Sequence, residues 1–401
     1  MIQHFRTFIV AHFSAALALG IQLVIVSWMA VAILELPATQ VSWVQCGVLL
    51  PRLCLLLYSG WLADHHASQK IVFFANVFLA VAHVLAFLLI QFEGLALFTL
   101  LLYAFALGLG NAFAQTAKEK IVNQLGQSNL QKIISIAGIS QFSAQGLGIA
   151  LAGLADFVGV DKLLLLQAAV LVLSGVFYLN LPLSTKANDN HSQWLNGISE
   201  GLAGAWRNVI VRHVVLLAAY NGFMNLGMFA VVIPLLALEV MQFSSLQFGL
   251  LQLSFAMGNV LMHFVILKRL IVYPGQNLLF GLLYSGVIGI SMASQPTIFG
   301  IYALVFMWGS VAGMSANLGR LIVQSSLPKT HIGRTMSIYQ LGLLGMAPLG
   351  ALTAGLVVEY GSVWLVFRLI GISSGILFCV FLFSRQLWSF KNAEPKHKQQ
   401  S

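Results

Sequence analysis

The chain has 401 residues, of which 59% are hydrophobic and only 8% are charged, and its formal net charge is +9. Soluble domains carry about 25% charged residues, so this composition leaves too little polar surface for a water-soluble globular protein. It also argues against nucleic-acid binding, because no basic run accompanies a soluble fold.

The charges fall in short gaps between twelve apolar segments, each long enough to cross a ~30 Å hydrocarbon layer as a helix. The predicted spans are 8–34, 41–62, 71–90, 95–116, 133–155, 162–182, 211–234, 246–267, 277–295, 298–320, 335–358 and 363–385. With a cytoplasmic N-terminus, seventeen of the 20 basic residues face inside and only Lys162 lies in an outside loop. The positive-inside rule then predicts a multi-pass protein of the cell inner membrane with both termini in the cytoplasm.

The longest inside connection separates six spans from six. Within it Trp194, Ile198, Leu202 and Trp206 recur every four residues, which favours a helix lying in the membrane interface over a plain linker. The predicted domains are therefore an N-terminal six-helix bundle (1–182), a cytoplasmic linker with an interfacial helix (183–210), a C-terminal six-helix bundle (211–385) and a cytoplasmic tail (386–401).

The two halves resemble each other at an offset of 202 residues. Lys132, Ser135, Ile136, Leu147, Gly148, Ala152, Gly153, Leu154 and Gly159 recur as Arg334, Ser337, Ile338, Leu349, Gly350, Ala354, Gly355, Leu356 and Gly361. Basic and serine positions match in register, which argues against a coincidence among small residues. Parallel repeats of this kind place a binding site near the bilayer midplane.

Several motifs resemble the major facilitator superfamily, and within it the branch of macrolide-efflux and enterobactin-export permeases (drug:proton antiporter-3-like). Gly60-Trp61-Leu62-Ala63-Asp64 is similar to the superfamily's motif between spans 2 and 3, and Gly148 to Gly153 is similar to the branch's span-5 motif. The stretch from Gly333 to Leu356 is the most specific match. The resemblance implies an all-α fold of twelve transmembrane helices in two six-helix pseudo-repeats, working by alternating access.

The sequence departs from the family's motifs at two places. Residues 65–69 replace the glycine and basic residues that normally continue the loop motif, which implies a weaker or pH-sensitive inside latch formed by Gly60, Asp64 and Arg334. Ile149 stands where antiporter-type spans carry proline, which weakens the inference of proton antiport.

Polar side chains form a layer at central depths of the spans that line the cavity in the resembled fold. The candidate substrate-binding residues are Arg52, Gln22, Gln145, Asn221, Asn225, Gln252 and Asn259. Single amides in a span favour helix–helix hydrogen bonding, whereas a whole layer favours a polar substrate cavity. Glu35, Glu239 and His263 are candidates for a proton site or gate, with solvated loop acids as the alternative for the two glutamates.

Arg52 stands near the middle of span 2, where an unpaired charge costs several kcal/mol. Two interpretations remain open. The guanidinium either binds backbone carbonyls freed by Pro51 or anchors an anionic group of the substrate.

The sequence therefore predicts a secondary transporter that exports a small amphipathic, anionic or neutral molecule, with proton coupling allowed by the resemblance. The alternatives are an uptake permease of the same fold and, from another class, a non-transporting sensor or lipid flippase-like protein. No metal-ligand, nucleotide-binding or nucleophile–base motif occurs, so we predict neither a cofactor nor an enzyme. The expected partners are the small-molecule substrate, protons and membrane lipid, with a monomeric state and no nucleic acid.

Overall fold

The structure is a computed structural model that describes residues 2–125, 130–181, 206, 208–268, 271–326, 332–383 and 385–391. Within these residues the fold is all-α and contains twelve long helices and no strand. The predicted linker 183–210 and tail 386–401 lie largely outside the described residues. The four domain boundaries therefore remain a prediction.

The helices are numbered α1 to α12 in chain order. Their bounds are α1 Ile2–Trp28, α2 Ala38–His65, α3 Ser68–Gln91, α4 Leu97–Leu125, α5 Leu130–Ala152, α6 Val160–Leu179, α7 Val209–Val240, α8 Ser245–Lys268, α9 Pro274–Ala293, α10 Ile298–Ser325, α11 Ile332–Tyr360 and α12 Val363–Phe383. A single helical turn, Ala155–Val158, joins α5 to α6. Each helix overlaps one of the twelve predicted spans.

Ten of the described helices are long and apolar enough to cross a membrane. The other two are α2, which carries Arg52, and α5, whose apolar part is shorter and runs from Ile136 to Ala152. Several helices are longer than the predicted spans, and α4 continues to Leu125 instead of ending near residue 116. The apolar pattern marks only the part of a helix in hydrocarbon, whereas backbone hydrogen bonds extend it beyond that layer. Lys118 and Lys120 therefore lie on α4 and not in a loop.

Three helical stretches have wider, π-helical turns. Met29–Ile33 continues α1, and Leu235–Val240 ends α7 at the corresponding place in the second half. These two stretches contact each other. The third stretch, Gly222–Met228, lies in the middle of α7. Such turns interrupt a regular helix locally and are frequent at functional sites.

Counting only described residues, the chain forms two compact units. The first unit spans Met1–His191, Ala230–Leu253 and Ala354–Glu359, and the second spans Ser192–Phe229, Ser254–Thr353 and Tyr360–Ser401. The later parts of α7 and α11 and the first part of α8 thus belong to the first unit. Three helices therefore change units partway along their length.

The first unit is held by packed helices and by buried polar contacts between them. Helix α1 packs on α5 and α6, α2 on α4, and α3 on α4 and α6. Buried Asn76 donates to Ser174, whose hydroxyl donates to the carbonyl of Ala11 at 2.7 Å. His83 Nε2 lies 2.8 Å from Gln167 Oε1, so this histidine is a satisfied packing residue. Interhelical hydrogen bonds of this kind are the usual role of polar side chains among membrane helices.

The second unit has its own apolar core, built around Leu279, Leu318 and Ile322 on α9 and α10. Helix α9 packs on α10 and α12. Asn208 caps the start of α7 by accepting from the amides of Ile210 and Val211, a common way to satisfy the free N–H groups of a first turn. This packing fixes the part of α7 that carries the predicted amide residues.

Candidate functional site

Arg52 lies immediately after Pro51 in the middle of α2. Its Nε is buried and has no hydrogen-bond partner among the described residues. The carbonyls near Pro51 therefore do not accept from this nitrogen, and the choice between the two interpretations of Arg52 remains a prediction. A buried donor left unpaired costs about 1–3 kcal/mol, and more when the group is charged. The Nε of Arg52 is thus one donor of a charged group that lacks an acceptor.

A second cation lies near Arg52 on the neighbouring helix. The charge of Lys118 on α4 interacts with that of Arg52 and also with the His12 ring on α1. His12 Nδ1 lies 3.0 Å from the Tyr178 hydroxyl, while its Nε2 is buried without a hydrogen bond that meets standard geometry. Gln141 of α5 lies beside the same ring. The first unit therefore gathers polar side chains from four helices.

Among the described side chains, no carboxylate forms an ion pair with Arg52 or Lys118. The nearest acid along α4, Glu119, is exposed and accepts a hydrogen bond of 3.2 Å from Gln115. Lys120, two residues beyond Lys118, instead donates to the carbonyl of Ala63 on α2. Neither Arg52 nor Lys118 therefore has a carboxylate partner among the described side chains, whereas Lys120 contacts a backbone carbonyl.

Three further predicted residues also belong to the first unit. Gln22 is buried and accepts a 3.2 Å hydrogen bond from Asn111, which joins α1 to α4. Gln145 is half-buried at the α1–α5 contact, where its backbone meets Gly20. Gln252 is half-buried on α8. Gln22 thus has a structural partner, and the substrate-binding role of all three remains a prediction.

In the second unit the amides of α7 form a chain. Asn221 donates to the Leu217 carbonyl, Asn225 donates to Asn221 at 2.7 Å, and the indole of Trp308 donates to Asn225 at 2.7 Å. Trp308 is fully buried and packs edge-on against Phe229. The i,i+4 pairing predicted for the two asparagines is present, and it also fixes an aromatic core residue on α10.

Asn259 and His263 lie one turn apart on α8. His263 Nδ1 contacts the Asn259 carbonyl at 2.9 Å, and the Asn259 side-chain oxygen is buried without a partner in the described structure. An unpaired buried amide oxygen is available to a donor on a ligand or water. Asn259 therefore offers a buried acceptor within the second unit.

The structure describes the predicted switch residues only in part. Gly60 lies on α2 with open space beside its Cα, and Asp64 and Arg334 lie on α2 and α11, with side chains outside the description. Glu35 and Glu239 are both exposed at the ends of α1 and α7, and Glu35 has a left-handed backbone with φ of 47°. The switch and gate roles of these residues remain predictions.

A set of contacts at the predicted outside ends of the helices was missed by the sequence reasoning. At the start of α8, the amide of Ser245 donates to Asp156 Oδ2 at 2.8 Å. The Ser245 hydroxyl accepts from the amide of Asp156 at 3.0 Å and donates to the Gly153 carbonyl at 2.9 Å. Asp156 thus caps a helix that comes from the other half of the sequence.

A second carboxylate makes the equivalent contact with α2. Glu359, at the end of α11, accepts from the backbone amide of Thr39 at 3.1 Å and from its hydroxyl at 3.2 Å. Asp156 follows α5, and Glu359 ends the repeat-equivalent helix α11. Carboxylates at helix N-termini are favoured because free N–H groups and the helix dipole both attract negative charge. We call Asp156 and Glu359 with their partner turns the outer caps.

Small residues bring the same helices into close contact beside the outer caps. A Cβ built on Gly249 of α8 would lie 2.7 Å from the Cα of Gly153 on α5. A Cβ built on Gly355 of α11 would lie 2.8 Å from the Ala38 carbonyl of α2. Gly153 and Gly355 are one of the repeat pairs in the sequence, so this signal pointed to the outer contact. Nothing in one sequence showed which helix each would meet.

Comparison with known proteins agrees with this architecture. The family model of the Major Facilitator Superfamily matches residues 8–347. The nucleoside transporter NupG has a similar structure, with a TM-score of 0.77 and 14% identity over 97% of this chain and 100% of that chain. A POT family transporter in complex with 5-aminolevulinic acid has a TM-score of 0.71 and 16% identity, covering 96% of each chain. A search of curated protein sequences gives no match.

Proposed function

Because the chain belongs to the Major Facilitator Superfamily and is a multi-pass membrane transporter rather than an enzyme, we propose that it moves a small amphipathic, anionic molecule across the inner membrane by alternating access. At this identity the similar structures show the fold alone. The substrate class is inferred from this chain's own residues.

The main support for an anionic substrate is the environment of Arg52. Its Nε is buried and unpaired in the middle of α2, and no described carboxylate is its partner. An arginine can bind a carboxylate through two parallel N–H bonds, and such charge-assisted bonds are about twice as strong as neutral ones. A cationic substrate would be repelled by Arg52 and by the nearby Lys118. A neutral analogue would leave both charges uncompensated.

The outer caps support alternating access. They join α8 and α11, from the second half of the sequence, to α5 and α2, from the first half, within one compact unit. Both caps use single carboxylates on exposed or half-buried surfaces, so each can be broken at a cost of about 0.5–2 kcal/mol. Two such contacts stabilise the state in which the outer ends touch. Their combined free energy is small enough for the ends to separate again thermally, as alternating access requires.

Outward transport rests on the resemblance of Gly60–Asp64 and Gly333–Leu356 to export permeases. The positive-inside distribution of lysine and arginine supports a cytoplasmic location of both termini. The direction of transport is measured by the uptake of a radiolabelled anionic probe, 4-carbamoylbenzoate, into inside-out and right-side-out vesicles. Accumulation only in inside-out vesicles supports export, and accumulation only in right-side-out vesicles assigns an uptake permease.

Three isosteric probes test the charge preference. They are terephthalate, 4-carbamoylbenzoate and terephthalamide, which carry two, one and no negative charges at pH 7.5. We expect 4-carbamoylbenzoate to bind the purified protein at least tenfold more tightly than terephthalamide. Loss of one charge-assisted contact is equivalent to about 1.5–3 kcal/mol, or roughly 10- to 100-fold in affinity. Arg52→Gln should therefore abolish the preference, and Arg52→Lys should retain only part of it.

Arg368→Gln is the matched control, since Arg368 is an exposed arginine on α12. It should leave both affinities unchanged. All variants are compared as monodisperse protein after size-exclusion chromatography. If Arg52→Gln weakens the charged and the neutral probe by equal factors, Arg52 does not read substrate charge. If wild-type protein binds neither probe and drives no flux in vesicles, the transport proposal itself fails.

A further inference from the structure

We infer that Lys118 is a second residue that binds a negative group of the substrate. The substrate is then an organic dianion whose two negative groups are separated along the molecule. This inference rests on the proposed function, because it takes Arg52 as the first anchor. It adds the number of charges on the substrate and their spacing.

The register of α2 and α4 places the two cations. Pro51 meets Gly108, Tyr58 packs edge-on against Phe113 at 6.1 Å, and Lys120 reaches the Ala63 carbonyl. Facing residues are thus offset by about 57 positions throughout, so the two helices run parallel and side by side. Lys118 then lies about nine residues, or about 13 Å, further along the shared direction than Arg52.

Both side chains are long, and their charges interact despite this axial separation. Like charges that interact in a poorly screened environment repel each other. No described carboxylate relieves the repulsion, although Lys120, on the same helix, has a partner. A pair of cations held apart along one helix interface matches two anionic groups at opposite ends of a ligand. A single compact anion would neutralise only one of them.

Groups from other helices complete the arrangement. The His12 ring lies near Lys118, and the Gln141 side chain lies beside the same ring. Gly138, one turn before Gln141 on α5, has no atom within 4 Å of a built Cβ. The space beside this turn of α5 is therefore open. An aromatic or aliphatic spacer between two carboxylates would fit in such a space.

The test uses the dianion terephthalate against the monoanion 4-carbamoylbenzoate. We expect wild-type protein to bind terephthalate about tenfold more tightly, and Lys118→Gln to reduce that ratio to about one. The preference of Lys118→Gln for the monoanion over neutral terephthalamide should persist, because Arg52 is retained. Lys118→Arg should keep the dianion preference, which shows that charge rather than packing is responsible.

Lys120→Gln is the matched control, because Lys120 sits two residues away and contacts backbone instead. It should preserve the tenfold ratio. A ratio that survives in Lys118→Gln, or wild-type protein without a dianion preference, overturns the inference while leaving the Arg52 test intact. Equal losses for all three probes in Lys118→Gln and in Asp64→Asn also overturn it, since they assign Lys118 to the inside latch. Loss of the monoanion preference in Arg52→Gln is scored separately and concerns only the proposed function.

Discussion

Removal of an outer cap should lower the population of the closed state of the transporter by a measurable amount. Asp156→Ala removes the acceptor for the Ser245 amide, and Glu359→Ala removes the acceptor for the Thr39 amide and hydroxyl. Loss of a helix N-cap costs about 1 kcal/mol. That energy is lost only from the state in which the outer ends touch, so each variant should raise the open population about fivefold.

The two outer caps use different helices and share no atom. Their effects should therefore add, and the double variant should raise the open population roughly 30-fold, equivalent to about 2 kcal/mol. Asp156→Asn keeps a carbonyl oxygen as acceptor and loses only the charge. It should fall between wild type and Asp156→Ala.

The assay is the rate at which a buried cysteine reacts with a membrane-impermeant maleimide. Ser42 is 1% exposed and lies against Gly355, so Ser42→Cys is protected while the outer ends touch. The native Cys46, Cys54 and Cys379 are replaced first. Under conditions of fast reclosing, the labelling rate is proportional to the open population.

Asp161→Ala is the matched control. Asp161 also lies near an outside end, but it accepts from Gln91 and therefore joins α3 to α6 within the first half of the sequence. Unchanged labelling in both cap variants, or an equal increase in the Asp161 control, would refute the gate interpretation. An increase in the double variant no larger than in either single variant would show that the caps act as one unit.

Two further predictions concern the close contact of α8 with α5 and the topology of the chain. Gly249→Ala should prevent close approach to α5, because the new methyl group would lie 2.7 Å from a backbone Cα; labelling at Ser42→Cys should then exceed that of Asp156→Ala, and unchanged labelling would show that the helices adjust. For topology, cysteines placed at Ser192 and Ser244 should react from the inside and the outside respectively, and a C-terminal tag accessible from outside would contradict twelve spans.

The sequence was sufficient to predict the fold class, because it depends on patterns that repeat along the whole chain. Twelve apolar segments predicted twelve helices, and each is found in the described structure. Helix ends were predicted less well, as α4 shows: its last turns carry Lys118 and Lys120, which ended the apolar pattern but not the helix. Charge limits the hydrocarbon segment, while helix length depends on backbone hydrogen bonding.

The candidate site could be predicted only in part, and the reason is physical. Arg52 was identified because a central charge in a span is costly on any packing arrangement. The partners of a side chain depend on which helices become neighbours, and one sequence does not contain that information. Asn225 was expected at a substrate surface, yet its amide also holds Trp308. Asp156 and Glu359 were placed at span ends, but their N-capping contacts with α8 and α2 required the structure.

The π-helical stretch in α7 has a consequence for motion. Gly222–Met228 ends two residues before Ala230, where the chain passes from the second unit to the first. A π-helical turn holds an extra residue, and helices often kink at such turns. Bending there changes the pairing of one turn and leaves the flanking helix intact. Helix α7 can therefore bend at this stretch while it remains one continuous helix.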